Sequence, residues 1–342
     1  MRTAWGVAVL ALSIGCQKQA PPPQAPVVGA APIADAPEPE PEPEPPKVPE
    51  DAIAVGTFNV EWAFDDIDDR PKKARPHVAK TPEDWAWKRD RIAEILVAEK
   101  LDVVTLTELG GERELMDIAT EVALEDGYEY DTAWLESTDR VTGQQVAVLS
   151  RFPVSNVRRF DVAIAKHVVV DVELPTGEDI TVVAVHMRDG KAPAYASKRR
   201  KAARALQKAI AKERKKRPVL ITGTMNSVTH PYDDEYPKRT PGILAARHNR
   251  DDADDCADSA SDAGRTNIAG EPSDHIIACG LELRSAETSA EDRVVREDED
   301  PGDLPWVAVP IEEAPYRDVS DHFLVWAEVA MPKPPEDDTE EV

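Results

Sequence analysis

Short apolar runs rich in β-branched residues recur along most of this 342-residue chain, and they constrain the fold more than any other feature. Runs of about four to eight such residues are typical of strands with one or both faces covered. Segments with a helical period lie between some of the runs, as at Trp85–Glu99 and Ala194–Arg217. This mixture predicts an α/β domain of two sheets packed face to face with helices outside. The runs are Ile53–Val60, Leu101–Leu106, Gln145–Leu149, His167–Val172, Ile180–Val185, Pro218–Thr222, His275–Ala278 and Phe323–Val329.

The N-terminal segment predicts an exported protein. Arg2 precedes the apolar run Trp5–Ile14, which is too short to span a bilayer. The run leads into Leu-Ser-Ile-Gly-Cys, which resembles a bacterial lipoprotein signal, so residues 1–15 would be removed and Cys16 lipidated. Gln17 stands where an aspartate often retains lipoproteins at the inner membrane, which favours the outer membrane. The alternative is an ordinary secretory signal with an incidental cysteine.

Residues 16–51 predict a spacer between that anchor and a domain spanning residues 52–331. Twelve of the 30 prolines lie between Pro21 and Pro49, and glutamates alternate with several of them. Such a segment has no apolar period, cannot bury a core and adopts an extended polyproline conformation. An interaction motif is the alternative interpretation. Residues 332–342 form an acidic tail that we expect to be solvated.

The charge of the chain argues against binding of nucleic acid through its overall electrostatics. The chain has 66 acidic and 41 basic side chains, for a formal net charge of −25. The sign reverses between Arg188 and Arg217, where 13 basic and two acidic residues lie. This segment could attract a polyanionic substrate, with Arg188 as a phosphate contact, or it could be an outer helix with a solvated basic face. The acidity therefore does not exclude a phosphoester substrate.

Two cysteines remain beyond the spacer, Cys256 and Cys279. In an exported protein such a pair predicts a disulfide, with two free thiols as the alternative. The acidic run Asp251–Asp258 overlaps the first cysteine and could bind calcium. It lacks the glycine and distal glutamate of an EF-hand, which favours a solvated loop.

Polar residues of chemically useful types flank six of the apolar runs. If the strands lie side by side, these residues collect at one edge of the sandwich. Carboxylate and amide oxygens there would suit a hard cation, and imidazoles would suit acid–base chemistry at a phosphate. The segments are Phe58-Asn59, Thr107-Glu108, Val185-His186, Gly223–Asn226, Ser273–His275 and Ser320–His322.

The motifs that carry these residues resemble the endonuclease/exonuclease/phosphatase superfamily. They occur in the family's order as FNVEW, VVTLTEL, GQQVAVLSRFPV, VVAVHM, LITGTMN, SDHII and VSDHF, within Ala52–Met331. The resemblance implies a four-layer α/β sandwich and hydrolysis of a phosphoester by water with Mg²⁺ or Mn²⁺. It also implies a phosphoester substrate, with nucleic acid first and phospholipid or another phosphoester second. We expect a monomer held at the membrane by its lipid anchor.

The resemblance also assigns roles by position. Glu108 would be the main metal ligand, with Asn59 and Asp321 close to the metal and Glu61 as an additional acidic group. Asn226 would orient the phosphate or the attacking water, and His186 would contact the phosphate or the leaving group. His322, oriented by Asp274, would stabilise the phosphate. The residues are thus Asn59, Glu61, Glu108, His186, Asn226, Asp274, Asp321 and His322.

One residue departs from the family pattern. The Gly-Asp-x-Asn motif is Gly223-Thr224-Met225-Asn226 here, so Thr224 replaces an aspartate that positions or deprotonates the attacking water. A threonine hydroxyl can hold a water but cannot take its proton, and loss of a general base costs roughly 10²–10⁴-fold in rate. Asp233 and Asp234 follow and could substitute. Two hypotheses remain: an active phosphodiesterase, or an impaired member that binds a ligand or partner.

Overall fold

The computed structural model describes residues 49–67, 69, 71, 74, 77–190, 192–227, 238–245, 256–259, 266–267, 272–289 and 319–332. The signal segment, Cys16 and nearly all of the spacer lie outside these residues. The same holds for Asp233, Asp234, the acidic tail from residue 333 and the first part of the Asp251–Asp258 run. No helix within the described residues is long and apolar enough to cross a membrane.

Two six-stranded sheets form the framework of the described part. The first sheet has the order β11-β12-β1-β2-β4-β3, and the second has the order β5-β6-β7-β8-β10-β9. The strands of the first are β1 Ala52–Ala63, β2 Val103–Leu109, β3 Asp131–Trp134, β4 Gln145–Ser150, β11 Leu283–Thr288 and β12 Val325–Ala330. Those of the second are β5 Val154–Arg158, β6 Lys166–Glu173, β7 Asp179–His186, β8 Val219–Thr224, β9 Ala257–Asp258 and β10 Asp274–Cys279.

Helices cover the outer face of each sheet. The helices are α1 Pro82–Glu99, α2 Glu112–Asp126, α3 Pro193–Glu213 and α4 Thr240–Ala245. One apolar cluster joins α1 and α2 to the first sheet, a second fills the space between the sheets, and a third joins α3 and α4 to the second sheet. Three buried apolar layers separate four layers of structure, so the predicted four-layer α/β sandwich is confirmed.

Sequence signals explain where α1 begins and ends. The Thr81 side chain accepts a hydrogen bond from the backbone N–H of Asp84 at 3.1 Å, and Pro82 occupies the first turn, where its missing N–H is harmless. Lys100 ends the helix in a left-handed conformation. Leu96 and Ile92 are fully buried against the first sheet, which accounts for the apolar period of this segment.

Every apolar run of the sequence lies wholly or largely in a strand, and the described residues form four more strands. The additional strands are β3, β5, β9 and β11. In β5 and β11 most side chains are exposed or half-buried, so these strands lack the continuous apolar pattern of the central ones. They lie at or next to the ends of the sheets, where one long edge or face remains open.

Two predicted strand ends are instead irregularities inside strands. Asn59 lies within β1 and Glu108 within β2, and the pairing of these two strands shifts between Asn59 and Ala63. The pairing of β2 with β4 shifts between Thr107 and Leu109. The backbone has positive φ at Glu61 (38°) and Glu108 (66°), which is uncommon for residues other than glycine. Such bulges redirect side chains, and here they lie at the edge where the polar residues collect.

The predicted disulfide between Cys256 and Cys279 is present in the structure, with Cα atoms 4.2 Å apart. It joins the segment that enters β9 to the end of β10. Next to it, Nδ1 of His275 lies 3.0 Å from the carboxylate of Asp258. Burial alone would lower the pKa of His275, but the Asp258 carboxylate outweighs it, so the pKa lies above its ordinary value.

Candidate active site

The polar residues predicted from the strand ends meet at one cleft of about 1240 Å³. The sheet register brings them together: His186 pairs with Thr224 across parallel β7 and β8, and Asp274 pairs with Thr224 across antiparallel β8 and β10. Asn59, Thr224 and Asp274 lie beneath the surface of the cleft, each at most 1% exposed. Its lining includes Glu61, Glu108, His186, Arg188, Asn226, Asp321 and His322.

A histidine and a buried aspartate form a close pair at the base of the cleft. Nδ1 of His322 lies 2.5 Å from Oδ2 of Asp274, which also accepts hydrogen bonds from Thr266 at 2.9 Å and Ser273 at 3.0 Å. Burial opposes the charged imidazolium, but Asp274 and then Asp321 outweigh it and raise the pKa of His322 to about 10. Burial likewise opposes the charge on Asp274, yet His322 holds its pKa below the ordinary value. At neutral pH the pair is therefore an imidazolium beside a carboxylate.

Thr224 is bonded to the same aspartate. Its hydroxyl donates to Oδ1 of Asp274 at 2.7 Å and lies 2.9 Å from the hydroxyl of Thr107. Nδ2 of Asn59 is 3.4 Å away on another side. Because its single proton goes to Asp274, this hydroxyl has none to give to a water in the cleft. The structure thus makes Thr224 a support for Asp274.

Three carboxylates line the cleft, those of Glu61, Glu108 and Asp321. Glu108 accepts hydrogen bonds from Asn59 at 3.2 Å and from Gln144 at 2.5 Å, and Oε2 of Glu61 accepts one from the backbone N–H of Asp321 at 2.9 Å. Burial raises the pKa of Glu108, and Asp321 raises it further. Burial, together with Asp321, raises the pKa of Glu61 to about 8. Burial and the neighbouring carboxylates therefore oppose ionisation of Glu61 and Glu108.

The oxygen ligands of these three carboxylates are of the chemical type that binds a hard divalent cation. Within the described part of the chain, no three His, Cys, Asp or Glu side chains are arranged closely enough to hold a metal ion as they stand. Oxygen donors of the kind that Mg²⁺ prefers are nevertheless concentrated there, at Glu108, Asn59, Asp321 and Glu61. A cation between them would offset the burial and the repulsion that together raise the pKa values of Glu61 and Glu108.

His186 is a neutral imidazole in the cleft wall. Nε2 lies 3.5 Å from Oε1 of Glu108, and among the described residues neither ring nitrogen has a hydrogen-bond partner. Burial, then the positive charges of Lys166 and His322, hold the pKa of His186 well below its ordinary value. A buried polar group without a partner costs free energy, and a substrate in the cleft could supply the missing bond.

Two other predicted residues lie at the same cleft. Nδ2 of Asn226 donates to the backbone oxygen of Met187 at 2.8 Å, and its φ of 50° turns the chain out of β8. The Arg188 guanidinium lies over the ring of Tyr195, 5.0 Å from its centroid. Both line the cleft.

Two residues of the site carry no role in the sequence-based prediction. Nζ of Lys166 donates to Oε1 of Gln144 at 2.7 Å, and Nε2 of Gln144 donates to Glu108. Burial lowers the pKa of Lys166, although Glu108 opposes this. Gln144 lies in a family motif, GQQVAVLSRFPV, which was a usable signal. Lys166, the first residue of β6, carries no such signal in the sequence, because its proximity to Glu108 arises only from packing of the two sheets.

Gly223 allows the close approach on which this geometry depends. Its φ is 128°, and a Cβ there would lie 2.0 Å from the backbone oxygen of Val185. No side chain fits at this point, so β7 and β8 can place His186 beside Thr224 only with glycine at this position.

Comparison with known proteins agrees with the architecture. The model of the Endonuclease/Exonuclease/phosphatase family matches residues 56–322, well over half of the chain. No curated protein sequence matches this chain.

Solved structures with the same fold have low sequence identity to this chain. An endonuclease/exonuclease/phosphatase from Beutenbergia cavernae is 18% identical, with a TM-score of 0.54 and coverage of 83% of this chain and 73% of that one. An endonuclease/exonuclease/phosphatase from Bacteroides vulgatus is 16% identical, with a TM-score of 0.53 and coverage of 82% of this chain and 99% of that one. The human Nocturnin catalytic domain is 13% identical, with a TM-score of 0.52 and coverage of 82% of this chain and 95% of that one. The sandwich and the family match together place this chain in the endonuclease/exonuclease/phosphatase family.

Proposed function

We propose that this chain is an exported, lipid-anchored phosphodiesterase of the nuclease type that depends on a divalent metal ion. The proposal depends on the presence of three kinds of group in one cleft. They are the set of carboxylates around Glu108, the neutral imidazole of His186 and the cationic imidazole of His322. These are a metal-binding group, an unpaired imidazole and a fixed positive charge. Each of them can assist hydrolysis of a phosphodiester.

The proposed roles of the individual residues are as follows. Glu108, Asn59 and Asp321 would hold Mg²⁺ or Mn²⁺, which when bound neutralises charge on the phosphoryl oxygens. His322, kept protonated by Asp274, donates a hydrogen bond to a phosphoryl oxygen. His186 makes its missing hydrogen bond to the phosphate or leaving group, and Asn226 orients the phosphate or the attacking water.

A second candidate function is ligand binding without turnover. The hydroxyl of Thr224 is buried and committed to Asp274, so it cannot act as the general base that the family's aspartate would supply. On this alternative the protein binds a phosphorylated ligand or a partner at the cell surface.

An assay of the full chain with and without Mg²⁺ distinguishes the two. Wild type, Glu108→Ala and Thr224→Asp would be tested on bis(4-nitrophenyl) phosphate and on an oligonucleotide. We expect Mg²⁺-dependent hydrolysis by wild type and a loss of at least about 100-fold in Glu108→Ala. An inert wild type together with an active Thr224→Asp variant would establish the binding function instead.

Anchoring is tested separately in bacterial cells. We propose that Cys16 carries the lipid, that the protein resides at the outer membrane of the cell envelope, and that it is a monomer. Mass spectrometry of the N-terminal peptide should find acylated Cys16, and Cys16→Ser should move the protein from the membrane fraction to the soluble fraction. Unmodified Cys16 in the mature protein would refute the anchor.

A further inference from the structure

One wall of the cleft is strongly basic and comes largely from α3. This helix contains seven basic residues and one acidic residue. The positions of α3 that line the cleft recur at helical spacing, and three of them are basic: Lys198, Arg199 and Lys201. The other α3 residues that line the cleft are Tyr195, Ala196, Ala202 and Ala205.

The loop between His186 and α3 is held in place against this wall. Nη1 of Arg199 donates to the backbone oxygens of Arg188 at 2.8 Å and Gly190 at 2.9 Å. Arg188 lies over one ring, Tyr195, and Nζ of Lys198 is 5.9 Å from the centroid of the same ring. Arg188 follows His186 by two residues, about 7 Å along an extended chain. A cation is thus fixed close to the proposed scissile phosphate.

The exposed charges on this wall lack ion-pair partners within the part of the chain that the structure describes, although the carboxylate of Asp189, which also lines the cleft, attracts Arg199. Among the described residues, no carboxylate forms an ion pair with Arg188, Lys198 or Lys201. Nε of Arg239, which also lines the cleft, is buried and has no hydrogen-bond partner in the described part of the chain. Unpaired cations in a concave surface concentrate anions, and a buried guanidinium nitrogen without a partner favours an oxygen ligand.

We infer that this wall is a second phosphate-binding subsite and that the substrate is a nucleic-acid strand, whose phosphodiesters recur along the chain. The inference rests on the proposed function, because one phosphate must occupy the site at His186 and His322. A phospholipid headgroup has one phosphodiester and would leave Arg188, Lys198 and Lys201 unused. A strand supplies the next phosphate on the same molecule.

Two double variants of α3 test the inference with equal changes in charge. Lys198→Gln/Lys201→Gln removes two exposed lysines of the wall, whereas Lys208→Gln/Lys212→Gln removes two exposed lysines of the same helix that do not line the cleft. Hydrolysis of a 12-nucleotide oligothymidylate and of bis(4-nitrophenyl) phosphate would be measured with the full chain. For the wall variant, the ratio of kcat/KM for the oligonucleotide to that for the small diester should fall about tenfold. For the control variant this ratio should change by less than about twofold.

Equal ratios in the two variants would overturn the inference. It would also be overturned if the wall variant lost hydrolysis of phosphatidylcholine vesicles but not of the oligonucleotide. Binding of a fluorescein-labelled oligothymidylate in EDTA, followed by anisotropy, separates this question from catalysis. If wild type hydrolyses neither substrate, the proposed function fails. The subsite then stands if only the wall variant binds more weakly, and falls if both variants bind alike.

Discussion

The hydroxyl of Thr224 donates a hydrogen bond to Oδ1 of Asp274 at 2.7 Å, in a part of the site that solvent does not reach. The other oxygen of Asp274 lies 2.5 Å from Nδ1 of His322. Position 224 is therefore linked to the cationic histidine through one carboxylate. An aspartate at 224 would place a second carboxylate against Asp274, so the replacement alters how the His322–Asp274 pair is held as well as removing a base.

Thr224→Asp should destabilise the metal-free protein and increase its response to metal. The new carboxylate would lie beside buried Asp274, and like charges at such a distance repel strongly. We expect the free energy of unfolding in EDTA to fall by about 3 kcal/mol. Excess Mg²⁺ should restore part of it, as urea unfolding with and without the ion would show.

Thr224→Asn is the matched control, because asparagine has the shape of aspartate without the charge. It should cost less stability than Thr224→Asp in EDTA, and Mg²⁺ should restore none of it. Indistinguishable unfolding curves for the two variants in both conditions would contradict the proximity of this position to a metal site.

Glu108→Gln should stabilise the metal-free protein by about 1 kcal/mol while abolishing stabilisation by Mg²⁺. The pKa of Glu108 is raised above 4.5, so its ionisation costs stability as pH rises through and above the unfolded value. Glutamine avoids this cost and keeps one oxygen acceptor for Asn59, while its NH2 group replaces the oxygen that accepts from Gln144, which limits the gain. Exposed Glu129→Gln serves as the control and should change the unfolding free energy by less than about 0.5 kcal/mol. A stability loss in Glu108→Gln without metal would argue against carboxylate repulsion.

Gly223→Ala should disrupt the junction of β7 and β8. A Cβ at this position would lie 2.0 Å from the backbone oxygen of Val185, so we expect a loss of more than about 3 kcal/mol. Gly177 also has a positive φ, 82°, but nothing lies within 4 Å of a Cβ there. Gly177→Ala should cost only about 1 kcal/mol, which reflects backbone conformation alone. Equal losses in urea unfolding would show that contact with Val185 is unimportant.

The His275–Asp258 pair should make stability depend on pH. The folded pKa of His275 lies above 6.5, so the pair's contribution is complete below that pH and is lost as pH rises through the raised value. Asp258→Asn should cost about 3 kcal/mol at pH 6 and less at higher pH. Unfolding free energies of both proteins between about pH 6 and 9 test this, and a constant difference across the range would refute it.

Periodicity and residue order were sufficient for the central strands and for most of the site. Buried strands such as β7 have continuous apolar patterns. His186, the last residue of β7, lies at the cleft because β8 ends and β10 begins at the same edge of the sheet. Edge strands such as β5 escaped prediction because half of their surface is solvated. The bulge at Glu108 also escaped, since its φ of 66° depends on tertiary packing and not on local preference.

The α/β sandwich, the order of the motifs and the identity of most of the residues at the cleft could be predicted from the sequence alone. These follow from hydrophobic period and from polar residues at strand ends, both of which are local properties. The interactions of those residues with one another depend on the tertiary structure. The raised pKa of His322, the unpaired nitrogens of His186 and the commitment of Thr224 to Asp274 all depend on distances between separate strands and on exclusion of water. Charge interactions strengthen when water is removed, and burial at this cleft arises only when both sheets have packed.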